Sequence, residues 1–130
     1  MPIRSFSLTL AALVVAVPMA QAAGYAGGAI KTMKTDKGTV LVDEKGMTLY
    51  SFDKDGKGAS NCYGACAVNW PPLTAAKDAK PQGKFSIVER KDGAAQWAVS
   101  GKPLYLWGKD KKPGDTTGDG VKGVWHVVKD

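Results

Sequence analysis

The chain is written twice, and that repeat limits what it can fold into more than any other feature. Sliding the 130-residue sequence by 55 positions aligns Gly38–Trp70 with Gly93–Trp125 without a gap. Identical pairs are Gly38/Gly93, Gly46/Gly101, Leu49/Leu104, Tyr50/Tyr105, Lys54/Lys109, Asp55/Asp110, Lys57/Lys112 and Trp70/Trp125. Chance supplies about two or three over such a span, so the copies are real repeats. Phe52 stands opposite Trp107, and Ile30-Lys31-Thr32-Met33 stands opposite Phe85-Ser86-Ile87-Val88. The copies span residues 29–73 and 84–128, and the Ala/Lys/Pro stretch 74–83 joins them.

Each copy reads as short strands punctuated by Gly turns. Copy one predicts strands near Ile30–Met33, Thr39–Val42 and Met47–Phe52, with turns at Thr35-Asp36-Lys37-Gly38 and Asp43-Glu44-Lys45-Gly46. Copy two predicts Phe85–Arg90, Gln96–Val99 and Pro103–Trp107, and a last strand at Val124–Val128. Pro103 has no N–H to donate, which places it at a strand start or edge. No stretch sustains helical periodicity. The expected fold is a small, mostly β, antiparallel domain over residues 23–130, built from two pseudo-symmetric tandem repeats.

Residues 1–22 stand apart from the repeat. Arg4 precedes the apolar run Phe6–Val17, Pro18 breaks that run, and Ala20-Gln21-Ala22 has the small-x-small form of a signal peptidase site. The expectation is a cleaved export signal, a mature start at Ala23 and a periplasmic or secreted protein. The first Cys is Cys62, so no Cys near the cleavage site is available for a lipid anchor. Without the leader, 108 residues remain, with 17 basic against 12 acidic side chains (+5) and all 16 Gly, about 15% against an ordinary ~7%. The excess Lys sits in turns, as at Lys54, Lys57, Lys109, Lys111 and Lys112. Such a surface suits anionic envelope polymers. It lacks the basic stripe interleaved with aromatics of a nucleic-acid binder.

Within the repeat, Tyr50-Ser51-Phe52-Asp53-Lys54-Asp55 and Tyr105-Leu106-Trp107-Gly108-Lys109-Asp110 share the form Tyr-x-aromatic-x-x-Asp. Together with Cys62-x3-Cys66, Trp70-Pro71-Pro72-Leu73 and Gly123-Val124-Trp125-His126-Val127-Val128, this resembles the secreted-repeat lipoprotein family, whose tandem copies carry that signature. The resemblance covers nearly all of the mature chain and implies an exported protein, but no assigned activity. The missing lipidation Cys is a departure from its anchored members.

Tyr and the aromatic two residues later face the same side of a strand. The simplest role for Tyr50, Phe52, Tyr105 and Trp107 is a core in which each hydroxyl finds a polar partner, because a small domain needs its few large rings inside. Asp55 and Asp110 then order the following loops by accepting backbone N–H bonds. Two sharper readings compete. The rings form an exposed platform that stacks on a sugar or quinone-like ligand, or Asp55 and Asp110 meet as an acid–base pair.

Cys62 and Cys66 in an exported chain imply a disulfide, with Gly64 permitting the tight turn between them. Copy two has Thr117 and Val121 at the matching positions. The alternative is a periplasmic soft-metal or redox site from Cys62, Cys66 and the single His126. Haem attachment in its usual form is excluded, since Ala67 stands where His is required. The acidic loops Asp53–Gly58 and Asp115–Gly120 suggest calcium. Gly64, however, occupies the twelfth position, where an EF-hand needs Glu. No Gly-x-Ser-x-Gly or phosphate-cradling loop is present. The expectation is a non-catalytic exported binding or structural module, with no cofactor and no nucleic-acid partner implied.

Overall fold

The computed structural model describes residues 24–130; the expected export signal, residues 1–22, lies outside them. The chain forms β1 (Ile30–Thr35), β2 (Gly38–Asp43), β3 (Tyr50–Phe52), a one-turn helix α1 (Ala65–Asn69), β4 (Phe85–Glu89), β5 (Ala95–Val99), β6 (Lys102–Pro103) and β7 (Trp125–Val127). The strand pairings among the described residues are antiparallel: β1 with β2, β5 with both β4 and β6, and β3 with β7. The architecture is mostly β and tandem, as the repeat requires. The short α1 has no counterpart in the strand-and-turn reading.

β3 from the middle of copy one and β7 from the end of copy two pair Tyr50 with Val127 and Phe52 with Trp125. The same geometry recurs 55 residues away, where Tyr105 bridges Pro72. Each copy thus receives its closing strand segment from the end of the other, and the two halves are interlocked rather than set side by side.

β2 is buried on both faces, and its alternation divides the core in two. Leu41 points into one cluster with Ile30, Leu49, Leu73, Phe85, Trp97 and Leu104. Val40 and Val42 point into the other, with Tyr50, Cys62, Trp70, Tyr105, Trp125 and Val127. Both clusters draw on both copies. At about 1.5–3 kcal/mol per large apolar side chain removed from water, neither half keeps its core alone.

The hydrogen bonds correct the gap-free alignment at one place. Leu49 N–H donates to Leu41 O, and its repeat partner Leu104 donates to Trp97 O. Likewise Leu41 N–H donates to Val128 O, and Trp97 N–H to Leu73 O. The equivalent of Leu41 is therefore Trp97, 56 residues on, whereas Leu49 and Leu104 stay 55 apart. An extra residue before β5 is cancelled by a missing one after it.

Candidate functional site

The repeated motif meets itself at the pseudo-twofold axis. Tyr50 N–H donates to Tyr105 O at 2.8 Å, and Tyr105 N–H donates to Tyr50 O at 3.0 Å. The side chains then cross. The Tyr50 hydroxyl donates to Asp110 Oδ2 and the Tyr105 hydroxyl to Asp55 Oδ2, both at 2.7 Å. Each aspartate's other oxygen orders its own loop: Asp55 Oδ1 accepts from Asn61 N–H at 2.7 Å. Asp110 Oδ1 accepts from Thr117 N–H at 3.0 Å and from its hydroxyl at 2.6 Å. Loop ordering follows the sequence reading; the partner in the opposite copy does not appear in it. No hydrogen bond among the described residues joins Asp55 to Asp110, so each carboxylate serves a tyrosine and a loop.

Burial sets the protonation chemistry of these groups. It pushes both phenols far above their ordinary range, and the Asp110 partner of Tyr50 adds to the shift. For Tyr105 the Asp55 bond likewise raises it, while Ser60 opposes. Burial also raises the Asp55 carboxyl, against the lowering effect of its bonds from Tyr105 and Asn61 N–H. Both tyrosines are therefore neutral donors across the physiological range.

Between the braces lies a column of four rings. Trp70 and Trp125 stack at 3.7 Å with parallel planes, Trp107 stacks on Trp70 at 3.9 Å, and Phe52 on Trp125 at 4.2 Å. Tyr50 and Tyr105 set their edges against Trp70 and Trp125 at 5.4 and 5.2 Å. Each such pair contributes about 0.5–1.5 kcal/mol beyond its buried area. Gly118 is required here, because a Cβ at that position would lie 2.9 Å from Trp70 and 3.0 Å from Trp107. The four-ring platform considered from sequence is not available: Tyr50 and Tyr105 are fully buried. Phe52 and Trp107 are half-buried at the two ends of the column.

Arg90 is the residue that sequence reasoning passed over. Its side chain is fully buried. Nη1 donates to Ser60 Oγ at 3.0 Å and to Gln96 Oε1 at 2.8 Å, and Nη2 donates to Cys62 O at 2.9 Å. Its guanidinium lies 4.4 Å from the centre of the Tyr63 ring, and its charge pairs with exposed Asp92 at 3.1 Å. That guanidinium holds the Asp92 carboxyl below its usual range. Ser60 Oγ also meets the Tyr105 hydroxyl at 2.7 Å, which links the arginine to the motif. A signal for it existed: Arg90 is the only Arg after Arg4 in a chain whose other cations are all Lys. Guanidinium rather than ammonium is the usual choice for a buried fork of acceptors.

Cys62 and Cys66 form a disulfide with Cα atoms 5.2 Å apart. With both sulfurs bonded to each other, the soft-metal reading of Cys62, Cys66 and His126 finds no support. His126 lies on β7 and its Nε2 is 2.8 Å from Asp53 Oδ2. Among the described residues no three His, Cys, Asp or Glu side chains gather as metal ligands. The acidic loops follow turn chemistry. Asp115 accepts from Lys111 and Lys112 N–H at 2.8 and 3.1 Å, bonds that lower its carboxyl. Asp119 accepts from Val127 N–H at 3.0 Å.

Two shallow clefts open beside the brace of copy one. A 450 Å³ cleft runs between Phe52–Lys57 and Ser100–Pro103. A 340 Å³ cleft continues it past Ser51 and Ser100 toward Lys84 and His126. A larger depression of 850 Å³ lies over the linker, lined by Ala76, Ala79, Pro81 and Trp97 among others. No helix among the described residues is long and apolar enough to cross a membrane.

No curated protein and no solved structure matches the chain. The family model Lipoprotein_15, described as a secreted repeat of unknown function, matches residues 31–74 and again 86–129. The two matches fall on the two interlocked copies, and the chain belongs to this family of secreted repeats.

Proposed function

We propose that this exported protein is a non-catalytic binding module. Its repeat motif serves as internal bracing, and its lysine-bearing surface engages anionic envelope polymers. The crossed Tyr–Asp pairing carries this reading. The motif's hydroxyls and carboxylates are spent on each other and on their own loops. That leaves the surface as the place where ligand chemistry happens. There, cations outnumber anions and most of the lysines stand exposed. Electrostatic capture of a polyanion follows from such a field and is screened by salt.

The test is titration of the purified protein with a defined polyanion, poly-glutamate, at 20 and 300 mM salt, with turnover assays on ester, glycoside and phosphoester substrates alongside. Salt-sensitive binding without turnover is expected. Turnover that disappears in an Asp55→Asn or Asp110→Asn variant of unchanged fold would overturn the non-catalytic reading.

A further inference from the structure

The two clefts beside copy one's brace form one groove, since Ser51, Asp53, Ser100 and Lys102 line both. We infer that this groove is a binding site for an acidic glycan, a chain of sugar rings bearing carboxylates. The inference rests on the polyanion reading above and gives it a location and a ligand class.

Three kinds of group converge along the groove, and together they match that ligand. The first is an aromatic surface. Phe52 lines the wider cleft, and its ring is packed on Trp125, so it is fixed in place. A pyranose presents a face of C–H groups that rests on such a ring. The second is charge. Lys57, Lys84, Lys102 and Lys129 line the groove against Asp53 and Asp55, and four cations less two anions leave +2. Asp53 is itself partnered by His126, and Asp55 by Tyr105. The third is a set of short polar side chains, Ser51 and Ser100, at the junction of the two clefts. Sugar hydroxyls are both donors and acceptors, and hydroxyl side chains match them in either role.

The walls are held rather than loose. Gly58 N–H donates to Gly101 O at 2.7 Å, which ties the loop after Asp55 to the turn between β5 and β6. Lys57 lies across Gly101 so closely that a Cβ there would come within 2.8 Å of its Cγ. The stem of Lys57 thus rests on backbone. Ser100, which lines both clefts, holds a left-handed conformation with φ of 51°. Positive φ at both Ser100 and Gly101 is what the two-residue turn between β5 and β6 requires, so the Ser100 hydroxyl is carried on a fixed backbone. Sites of this kind combine a largely pre-formed concave surface with a few placed polar groups.

The experiment measures affinity of the full exported chain for an oligogalacturonate by calorimetry. Neutral malto-oligosaccharide, polyphosphate and poly-glutamate serve as comparison ligands. Lys57→Glu/Lys102→Glu is the groove variant, and Lys109→Glu/Lys111→Glu, on the copy-two motif loop, is the control of equal charge change. Near-UV circular dichroism establishes that both are folded. The expected result is oligogalacturonate binding that falls at least tenfold in the groove variant and less than twofold in the control. It should also be tighter than polyphosphate or poly-glutamate of matched charge. An equal loss in both variants, or equal affinity for all three polyanions, overturns the groove while leaving surface capture of polyanions standing. No binding to any polyanion overturns both.

Discussion

The two Tyr–Asp braces share their central bond and differ in almost everything around it. The Tyr50–Asp110 brace is closed by copy two's own loop, through Thr117 and the Gly118 N–H, 3.2 Å from the Tyr50 hydroxyl. It is packed beneath Trp70 and Trp107. The Tyr105–Asp55 brace opens into a polar cluster of Ser60, Arg90 and Gln96, with the disulfide at its back. Where copy two has Arg90 and Gln96, copy one has Thr35 and, by the hydrogen-bond register, Val40, fully buried in the aromatic cluster. The Gln96 position is therefore filled in copy one by hydrocarbon, and the position that buries a charge in copy two holds a half-buried threonine in copy one. Central geometry of this kind tolerates either solution as long as each polar group finds partners.

The largest expected effect breaks the polar side. Arg90→Ala strands Ser60, Gln96 and the Cys62 carbonyl and should cost about 3–4 kcal/mol in urea unfolding. The paired change Arg90→Thr/Gln96→Val, which copies the other half, should recover at least half of that loss. A double variant as unstable as Arg90→Ala would mean that the two halves are not interchangeable here.

Tyr50→Phe comes next, at about 2 kcal/mol, because it leaves a buried carboxylate short of a donor. Asp110 is 8% exposed, whereas Asp55 is half-buried and can regain water. Tyr105→Phe should therefore cost less than Tyr50→Phe, a difference that parallel denaturation curves would resolve. Equal losses would remove the distinction between a dry brace and a wetter one.

Reduction of Cys62–Cys66 opens only a five-residue loop, so the chain-entropy contribution is about 2 kcal/mol or less. The loss should be confined to the copy-one side, and hydrogen exchange would show protection falling in residues 60–66 while Thr117 and Gly118 keep theirs.

The smallest effect is a pH dependence. Asp55 binds its proton more tightly folded than unfolded. Its contribution to stability is thus fully present below pH 3.8 and declines as pH rises through the raised value. Asp92 and Asp115 are lowered and act in the opposite sense, contributing above pH 3.8 and losing that contribution as pH falls. Relative to Asp55→Asn, the native protein should lose stability as pH rises from 4 toward neutrality. A constant difference between the two across that range would show that Asp55 keeps its solution behaviour.

Much of this was legible in the residues. The 55-residue period, most strand positions and the loop-ordering role of Asp55 and Asp110 follow from local rules about turns, alternation and short polar side chains. The expected strands Met47–Phe52 and Pro103–Trp107, by contrast, shrink to Tyr50–Phe52 and Lys102–Pro103. What was not legible is reciprocal. A strand pattern says that Tyr50 and Phe52 share a face, but which aspartate meets Tyr50 depends on how two copies are set against each other in space. The shift of β5 escaped because Gly38/Gly93 and Gly46/Gly101 anchor a gap-free alignment across compensating changes in two turns. Arg90 escaped because it was read as the end of a strand, although a lone guanidinium among sixteen Lys side chains marks a position where ammonium does not suffice.

The crossed braces carry a consequence for how such a molecule responds to dilution. A solitary copy holds a tyrosine whose acceptor belongs to someone else, so on its own it is half of a mutual contract. Joined by the ten residues from Thr74 to Gly83, the partner is always present at an effective concentration on the order of millimolar. An exported protein built this way keeps its assembly at any dilution. Because the two partners sit on one chain they need not be identical, and only copy two carries the buried arginine.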